Sequence, residues 1–86
     1  MAVERETINN TEDELETKEL KSIIKSCLLK LNEDFRIIIV LRDIHGLTYQ
    51  EIANILGIEL GTVKSRLNRA REALKNELIK CGIKRG

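Results

Sequence analysis

The fold is decided by residues 48–74, which read TYQEIANILGIELGTVKSRLNRAREAL. The stretch opens with a capping box, in which the Thr48 oxygen can accept from the backbone N–H three residues on and Glu51 can reach back to the cap. A short helix is predicted to start there and to end at Gly57, and a longer helix to begin near Leu60. Two helices joined by a short turn that contains glycine form a helix-turn-helix.

Three residues have the spacing that is diagnostic of this motif. Ala53 is small where the second helix crosses the first, Gly57 permits a positive φ in the turn, and Val63 wedges the second helix against the core. The same spacing occurs in helical hairpins that do not bind DNA. It is therefore a moderately specific sign of DNA binding.

The longer helix carries polar groups opposite its apolar stripe. If the stripe faces the core, steps of about 100° per residue turn hydroxyl, amide and guanidinium groups outward over the first turns. Such groups can bond base edges in the major groove, whereas an ordinary solvated face mixes charge signs more evenly. The stripe comprises Val63, Leu67, Ala70 and Leu74; the outward residues are Ser65, Asn68, Arg69 and Glu72, flanked by Lys64 and Arg71 on one side and by Arg66 on the other.

Two helices are predicted ahead of the motif. From Glu12, apolar residues recur at three- and four-residue steps, which indicates one stripe on a helix. Asn32 interrupts this stripe and can cap a second helix, for which Gly46 provides a left-handed end. The first stripe comprises Leu20, Ile23, Ile24, Cys27, Leu28 and Leu31.

Residues 37–40 form the one ambiguous stretch, because four consecutive β-branched residues would also suit a buried strand. The sequence offers no second strand to pair with it, and an unpaired strand leaves backbone groups unsatisfied. We therefore expect a helix that is buried on more than one side.

The composition agrees with a single small all-α domain. The chain has 86 residues, of which 42% are hydrophobic, 34% are charged and none is proline. Aromatic residues make up only 2%, which disfavours a β-sandwich or barrel with its many turns. We predict a compact bundle of about four helices that ends in the helix-turn-helix.

Charge is distributed unevenly along the chain, although the formal net charge is only +1. Residues 1–20 hold two basic and seven acidic groups, residues 21–59 hold five of each, and residues 60–86 hold eight basic and two acidic groups. Binding depends on local potential, so this gradient indicates a polyanionic partner better than the total charge does. The C-terminal third is its predicted footprint.

Catalytic, metal-binding and membrane functions find no support in the sequence. His45 is the only histidine and has no catalytic partners around it in the sequence, so we expect neither an enzyme nor a cofactor. Cys27 and Cys81 lack metal-ligand spacing and are interpreted as a small core residue and an exposed thiol. No segment approaches the roughly 20 apolar residues of a membrane span and no signal peptide is visible, so we expect a cytoplasmic protein.

Three stretches are specific enough to indicate a family: GLTYQEIA at residues 46–53, GTVKSRL at 61–67 and RAR at 69–71. With them the chain resembles region 4 of extracytoplasmic-function (ECF) sigma factors of the sigma-70 family, over roughly residues 20–80. One departure is Asn32, which stands where many relatives have proline. Both residue types start helices, so the expected fold is unchanged.

The resemblance implies a winged-helix-like DNA-binding domain, without a wing, that binds the −35 promoter element and docks on the β-flap of RNA polymerase. An anti-sigma factor is a further implied partner, and the expected state is a monomer. Matching positions imply four residues that face the major groove and four that lie near phosphates or flanking bases. The first four are Lys64, Ser65, Asn68 and Arg69; the others are Thr48, Tyr49, Thr62 and Arg66.

Some neighbouring residues have alternative roles. Glu51 also lies near the implied phosphates, but its capping role alone explains it. Arg71 has an equal claim to an intramolecular ion pair. Ile37 and Val40 are assigned mainly to the core, with polymerase or anti-sigma contacts as the alternative.

Two other functions fit the same residues. A stand-alone helix-turn-helix regulator would act as a dimer and read two half-sites about one helical turn apart. A protein-interaction module would use the basic face for acidic partners. The aromatic-rich domain with which sigma factors melt promoters has no counterpart here, so we expect a fragment: a linker remnant at residues 1–11, the domain at 12–82 and a tail at 83–86.

Overall fold

The computed structural model describes the backbone of residues 11–82 and the side chains of residues 16–82. Within this range the chain is helical and contains no strand, which confirms the predicted all-α fold. The predicted linker remnant, apart from its last residue, and the predicted tail lie outside the described residues. The elements are α1 (Thr11–Lys30), α2 (Glu33–Ile39), a π-helical segment (Val40–Ile44) that continues α2, α3 (Tyr49–Leu56) and α4 (Leu60–Lys80).

The junction between α1 and α2 forms as the sequence predicts. The Asn32 side-chain oxygen accepts a hydrogen bond from the Phe35 backbone N–H at 2.9 Å, which caps α2. Arg36 donates from Nη1 to the carbonyl of Leu31 at 3.1 Å, so a carbonyl beyond the end of α1 also has a partner.

The ambiguous β-branched stretch is helical. Ile38 and Ile39 are buried, whereas Ile37 and Val40 are half-buried. The middle of the run therefore lies deeper in the core than its ends. The backbone satisfies its own hydrogen bonds within the helix, which an isolated strand could not do.

A π-helical turn ends this second helix, and nothing in the sequence predicts it. The His45 backbone N–H donates to the carbonyl of Val40 at 3.0 Å, and Gly46 follows with a φ of 71°. Arg42 then donates from Nη1 to the carbonyl of Leu47 at 2.8 Å, and its guanidinium lies 4.8 Å from the centre of the Tyr49 ring. Arg42 thereby connects the end of α2 to the start of α3.

The capping box and the glycine turn are both confirmed. The Thr48 hydroxyl oxygen accepts from the Glu51 N–H at 3.0 Å, and the Thr48 N–H donates to the Glu51 carboxylate at 2.8 Å. Gly57 adopts a left-handed φ of 68° and donates its N–H to the carbonyl of Ala53 at 2.8 Å. A side chain at this φ would be strained, so glycine is the residue that closes α3 at least cost.

The core lies around α4, which packs against α1, α2 and α3. The apolar stripe of α1 is buried only towards its C-terminal end, and Leu20 at its beginning is 47% exposed. None of the helices in the described part of the chain has the length and apolar content to cross a lipid bilayer. The buried residues are Cys27, Leu28, Leu31, Ile38, Ile39, Ile52, Ala53, Val63, Leu67 and Ala70.

Two isoleucines of α3 provide a matched test of this core. Ile52 is fully buried, whereas Ile55 is 60% exposed on the same helix. We expect Ile52→Val to lower the free energy of unfolding by about 0.5–1.5 kcal/mol, because it removes a methylene from a packed site. Ile55→Val should change it by less than about 0.5 kcal/mol. Urea denaturation followed by circular dichroism measures both, and equal losses would contradict the described packing.

Candidate nucleic-acid interface

Helix α4 presents two chemically different faces. Val63, Leu67 and Ala70 are buried against the other helices. The opposite face is exposed to solvent and polar, as the sequence predicts. Its members are Lys64, Ser65, Asn68, Arg69 and Glu72.

One edge of this face continues towards the start of α2. Arg66 is half-buried, and together with the exposed Arg69 it lines an open hollow whose other wall is the first turn of α2. That wall contains the acidic residues Glu33 and Asp34, but the ion pairs among the described side chains involve Arg71 and Lys80 instead. The two arginine side chains therefore keep hydrogen-bond donors for another partner. Thr62, also half-buried, lies one turn earlier on α4.

The beginning of α4 differs from the beginning of α3. The residue at the N-terminal cap, Glu59, makes no side-chain hydrogen bond to the helix, and the first turn carries no acidic residue. The backbone N–H groups of a first turn have no intrahelical partner, and they lie at the positive end of the helix dipole. This end of α4 can therefore receive an anion such as a phosphate group.

Thr48 and Tyr49 have structural roles that the sequence reveals only in part. The Thr48 hydroxyl belongs to the capping box, and the Tyr49 ring is half-buried against the core and below Arg42. Both residues nevertheless lie at the start of α3, the helix that comes before α4 in the motif. Glu51 has its capping role confirmed.

Ser65 makes a hydrogen bond within its own helix. Its hydroxyl donates to the carbonyl of Thr62 at 3.3 Å and remains exposed. The hydroxyl proton points back along the helix, which leaves the oxygen as an acceptor towards solvent.

Arg71 forms an intramolecular ion pair, which resolves the two alternatives for this residue. Its Nε donates to Oδ2 of Asp43 at 3.0 Å, and its Nη2 bonds to Oδ1 of the same carboxylate. These hydrogen bonds raise the pKa of the Arg71 guanidinium. The pair joins α4 to the π-helical segment, and Asp43 was not identifiable as the partner because 28 positions separate the two residues.

This arrangement defines a class of protein. A short capped helix, a glycine turn and a longer helix with one buried and one basic, exposed face make up a helix-turn-helix domain of the DNA-binding type. The motif also lies within a bundle in which α1 and α2 pack against α4.

Comparison with known proteins identifies the family. The model of the family described as Sigma-70, region 4 matches residues 21–74, and the chain belongs to this family. The ECF RNA polymerase sigma-E factors of Escherichia coli strain K12 and Salmonella typhimurium strain LT2 are each 44% identical to it over 71 residues. The sigma-E factor of Haemophilus influenzae is 38% identical over 71 residues. The resemblance inferred from the motifs is thereby confirmed.

The matches cover different shares of the two chains. They include 83% of this chain, but only 37% of the Escherichia coli and Salmonella typhimurium proteins and 38% of the Haemophilus influenzae protein. The chain therefore spans less than half the length of the curated relatives that it matches.

The ion pair between Asp43 and Arg71 can be tested with a double-mutant cycle. Both side chains are more than a third exposed, so solvent screening limits the coupling to about 0.2–1 kcal/mol despite the bidentate geometry. Asp43→Ala, Arg71→Ala and the double variant should show this coupling in urea denaturation. The matched control is Glu77 with Lys80, a single contact of 3.6 Å within one helix, which should couple more weakly. Additive effects at Asp43 and Arg71 would contradict the role assigned to the pair.

Proposed function

We propose that this domain binds the −35 element of promoter DNA as the C-terminal region of a sigma factor that directs RNA polymerase to start sites. The observation that carries the proposal is the exposed face of α4, where Lys64, Ser65, Asn68 and Arg69 stand opposite the buried stripe. The relatives are named RNA polymerase sigma factors, which supports the same role here.

The exposed face has the chemistry that base recognition requires. In this proposal the first turns of α4 enter the major groove, which admits one α-helix. The guanidinium of Arg69 and the amine of Lys64 suit guanine O6 and N7, and the amide of Asn68 suits adenine N6 and N7. The Ser65 oxygen adds an acceptor at the centre of the face.

Four flanking residues are proposed to position the helix. Thr48 and Tyr49 lie at the start of α3, the helix that crosses the phosphate backbone in this motif. Thr62 and Arg66 lie beside the uncapped first turn of α4, where backbone N–H groups add to the attraction for a phosphate. Contacts of this kind set the register on DNA without selecting sequence.

The other partners follow from the same role. A region 4 domain of a sigma factor is expected to dock on the β-flap of RNA polymerase, and an anti-sigma factor is a further proposed ligand. Docking is proposed for the apolar side chains that α1 and the π-helical segment expose, Leu29 and Ile44. A sigma factor acts on chromosomal DNA, so we propose a cytoplasmic location. We also propose that the domain is monomeric.

Three single substitutions in α4 test whether its exposed face of Lys64, Ser65, Asn68 and Arg69, here called the reading face, contacts bases. We expect Lys64→Ala, and in parallel Arg69→Ala, to weaken promoter binding by about 1–3 kcal/mol, because each removes a contact to a base edge. Lys75→Ala removes the same charge from an exposed position three turns further along and should cost less than about 0.5 kcal/mol. Fluorescence anisotropy with a duplex obtained by selection from random DNA measures all three.

The same titrations, repeated at several salt concentrations, separate DNA binding from the interaction-module alternative. Binding by phosphate neutralisation weakens steeply as salt rises. If no duplex binds, or if all three variants bind alike, the assignment of Lys64 and Arg69 is wrong.

Oligomeric state separates the sigma-factor role from that of a stand-alone regulator. We expect the domain to sediment as a monomer, alone and on DNA, and to protect one short site. A stable dimer on a palindrome with half-sites about one helical turn apart would favour the regulator. Analytical ultracentrifugation combined with footprinting on the selected duplex provides both readouts.

A further inference from the structure

The two cysteines meet although they are far apart in the sequence. Cys27 lies on the inner face of α1 and is fully buried, whereas Cys81 caps the C-terminal end of α4 and is exposed. Their sulfur atoms are 3.3 Å apart, across 54 positions of the chain. The sequence alone gave no reason to pair them.

The two sulfur atoms lie close enough for a disulfide to form after a small movement. An S–S bond measures about 2.05 Å, so the two sulfur atoms would need to approach by only about 1.3 Å. Cys81 can supply that movement, because it lies just beyond the last residue of α4 and its side chain is exposed. Gly82 follows with a φ of 90°, which ends the helix at this point.

We propose that Cys27 and Cys81 are a redox-sensitive pair, which peroxide converts into a reversible intramolecular disulfide that ties α1 to the end of α4. This is a modification site, and it does not depend on the proposed DNA contacts. Disulfides of proteins in reducing compartments are usually transient and redox-sensing.

The reaction balances with hydrogen peroxide as the oxidant. The thiolate of Cys81 attacks one peroxide oxygen, the O–O bond breaks, and hydroxide leaves, which forms the sulfenic acid of Cys81. The Cys27 sulfur then attacks this sulfenic acid; the S–S bond forms, the S–O bond breaks, and the departing hydroxide takes the Cys27 proton as water. In total two thiols lose two electrons and two protons, and peroxide is reduced to two waters.

Accessibility sets the order of the two steps. Cys81 is exposed, so peroxide reaches it first, whereas Cys27 is covered by the core. Burial, together with the hydrogen bond and charge of Cys81, raises the pKa of the Cys27 thiol, while the nearby Lys30 lowers it. Cys27 is therefore the slower of the two thiols to react with peroxide, and it gives up its proton to the departing hydroxide as its sulfur attacks the adjacent sulfenic acid.

The disulfide would constrain α1 and the end of α4, and it lies far from the reading face. Along α4, Cys81 lies about 18 Å beyond Arg69, which is at the far end of the proposed DNA contacts. The bond closes a long loop and therefore restricts the unfolded chain, which stabilises the folded domain. Oxidation would join α1 covalently to the end of α4, whereas in the reduced protein packing alone holds the two helices together.

The experiment uses the full 86-residue chain, reduced and then titrated with hydrogen peroxide. We expect both thiols to disappear together when counted with a thiol reagent after unfolding. The monomer should lose the mass of two hydrogen atoms, and Tm should rise by about 10 °C. Dithiothreitol should reverse all three changes. DNA binding is not needed for any readout, so failure here and failure of the proposed function are distinguishable.

The matched variant is Cys81→Ser, which leaves the buried Cys27 and the core in place. It should fold with nearly the Tm of the reduced chain, keep its Cys27 thiol at the same peroxide dose and show no rise in Tm. The proposal is overturned if the natural sequence oxidises only at Cys81, forms disulfide-linked dimers, or forms the internal disulfide with an unchanged or lower Tm.

Discussion

The burial of one face of α4 is the constraint on which the rest of this domain depends. A chain of this size can build only one small core, and every other helix contributes to it by packing against α4. Once Val63, Leu67 and Ala70 are buried, the rotation of α4 about its axis is set. The helical period then leaves Lys64, Ser65 and Asn68 no orientation except towards solvent. The polar surface is thus a consequence of apolar packing.

Local hydrogen bonds hold α3 and the turns in place around that core. The capping box at Thr48 sets where α3 begins, and the left-handed Gly57 sets where it ends. Arg42 spans the preceding junction through the Leu47 carbonyl and the Tyr49 ring. Each contact is individually modest, but together they fix where α3 begins and ends and tie its start to the preceding segment. A reading helix needs such support, because contacts to base edges tolerate little displacement.

The two ends of α4 have different chemistry. Its first turns lack a side-chain cap, and their exposed side is basic, which suits a polyanion. Its last turn lies against α1, where the Cys81 thiol meets Cys27. One helix therefore carries the proposed DNA contacts at its beginning and the proposed redox pair at its end. The two ends of the helix are roughly 30 Å apart.

The sequence by itself determined the features that depend on neighbours along the chain: the caps at Asn32 and Thr48, the left-handed Gly46 and Gly57, and the two faces of α4. Local periodicity and short-range hydrogen bonds specify all of these. Tertiary structure alone decided which distant groups meet. Asp43 with Arg71 and Cys27 with Cys81 have no signal in spacing, and the π-helical turn and the exposure of Leu20 depend on how α1 and α2 fit against α4. Such contacts arise from the packing of whole helices, which no local pattern encodes.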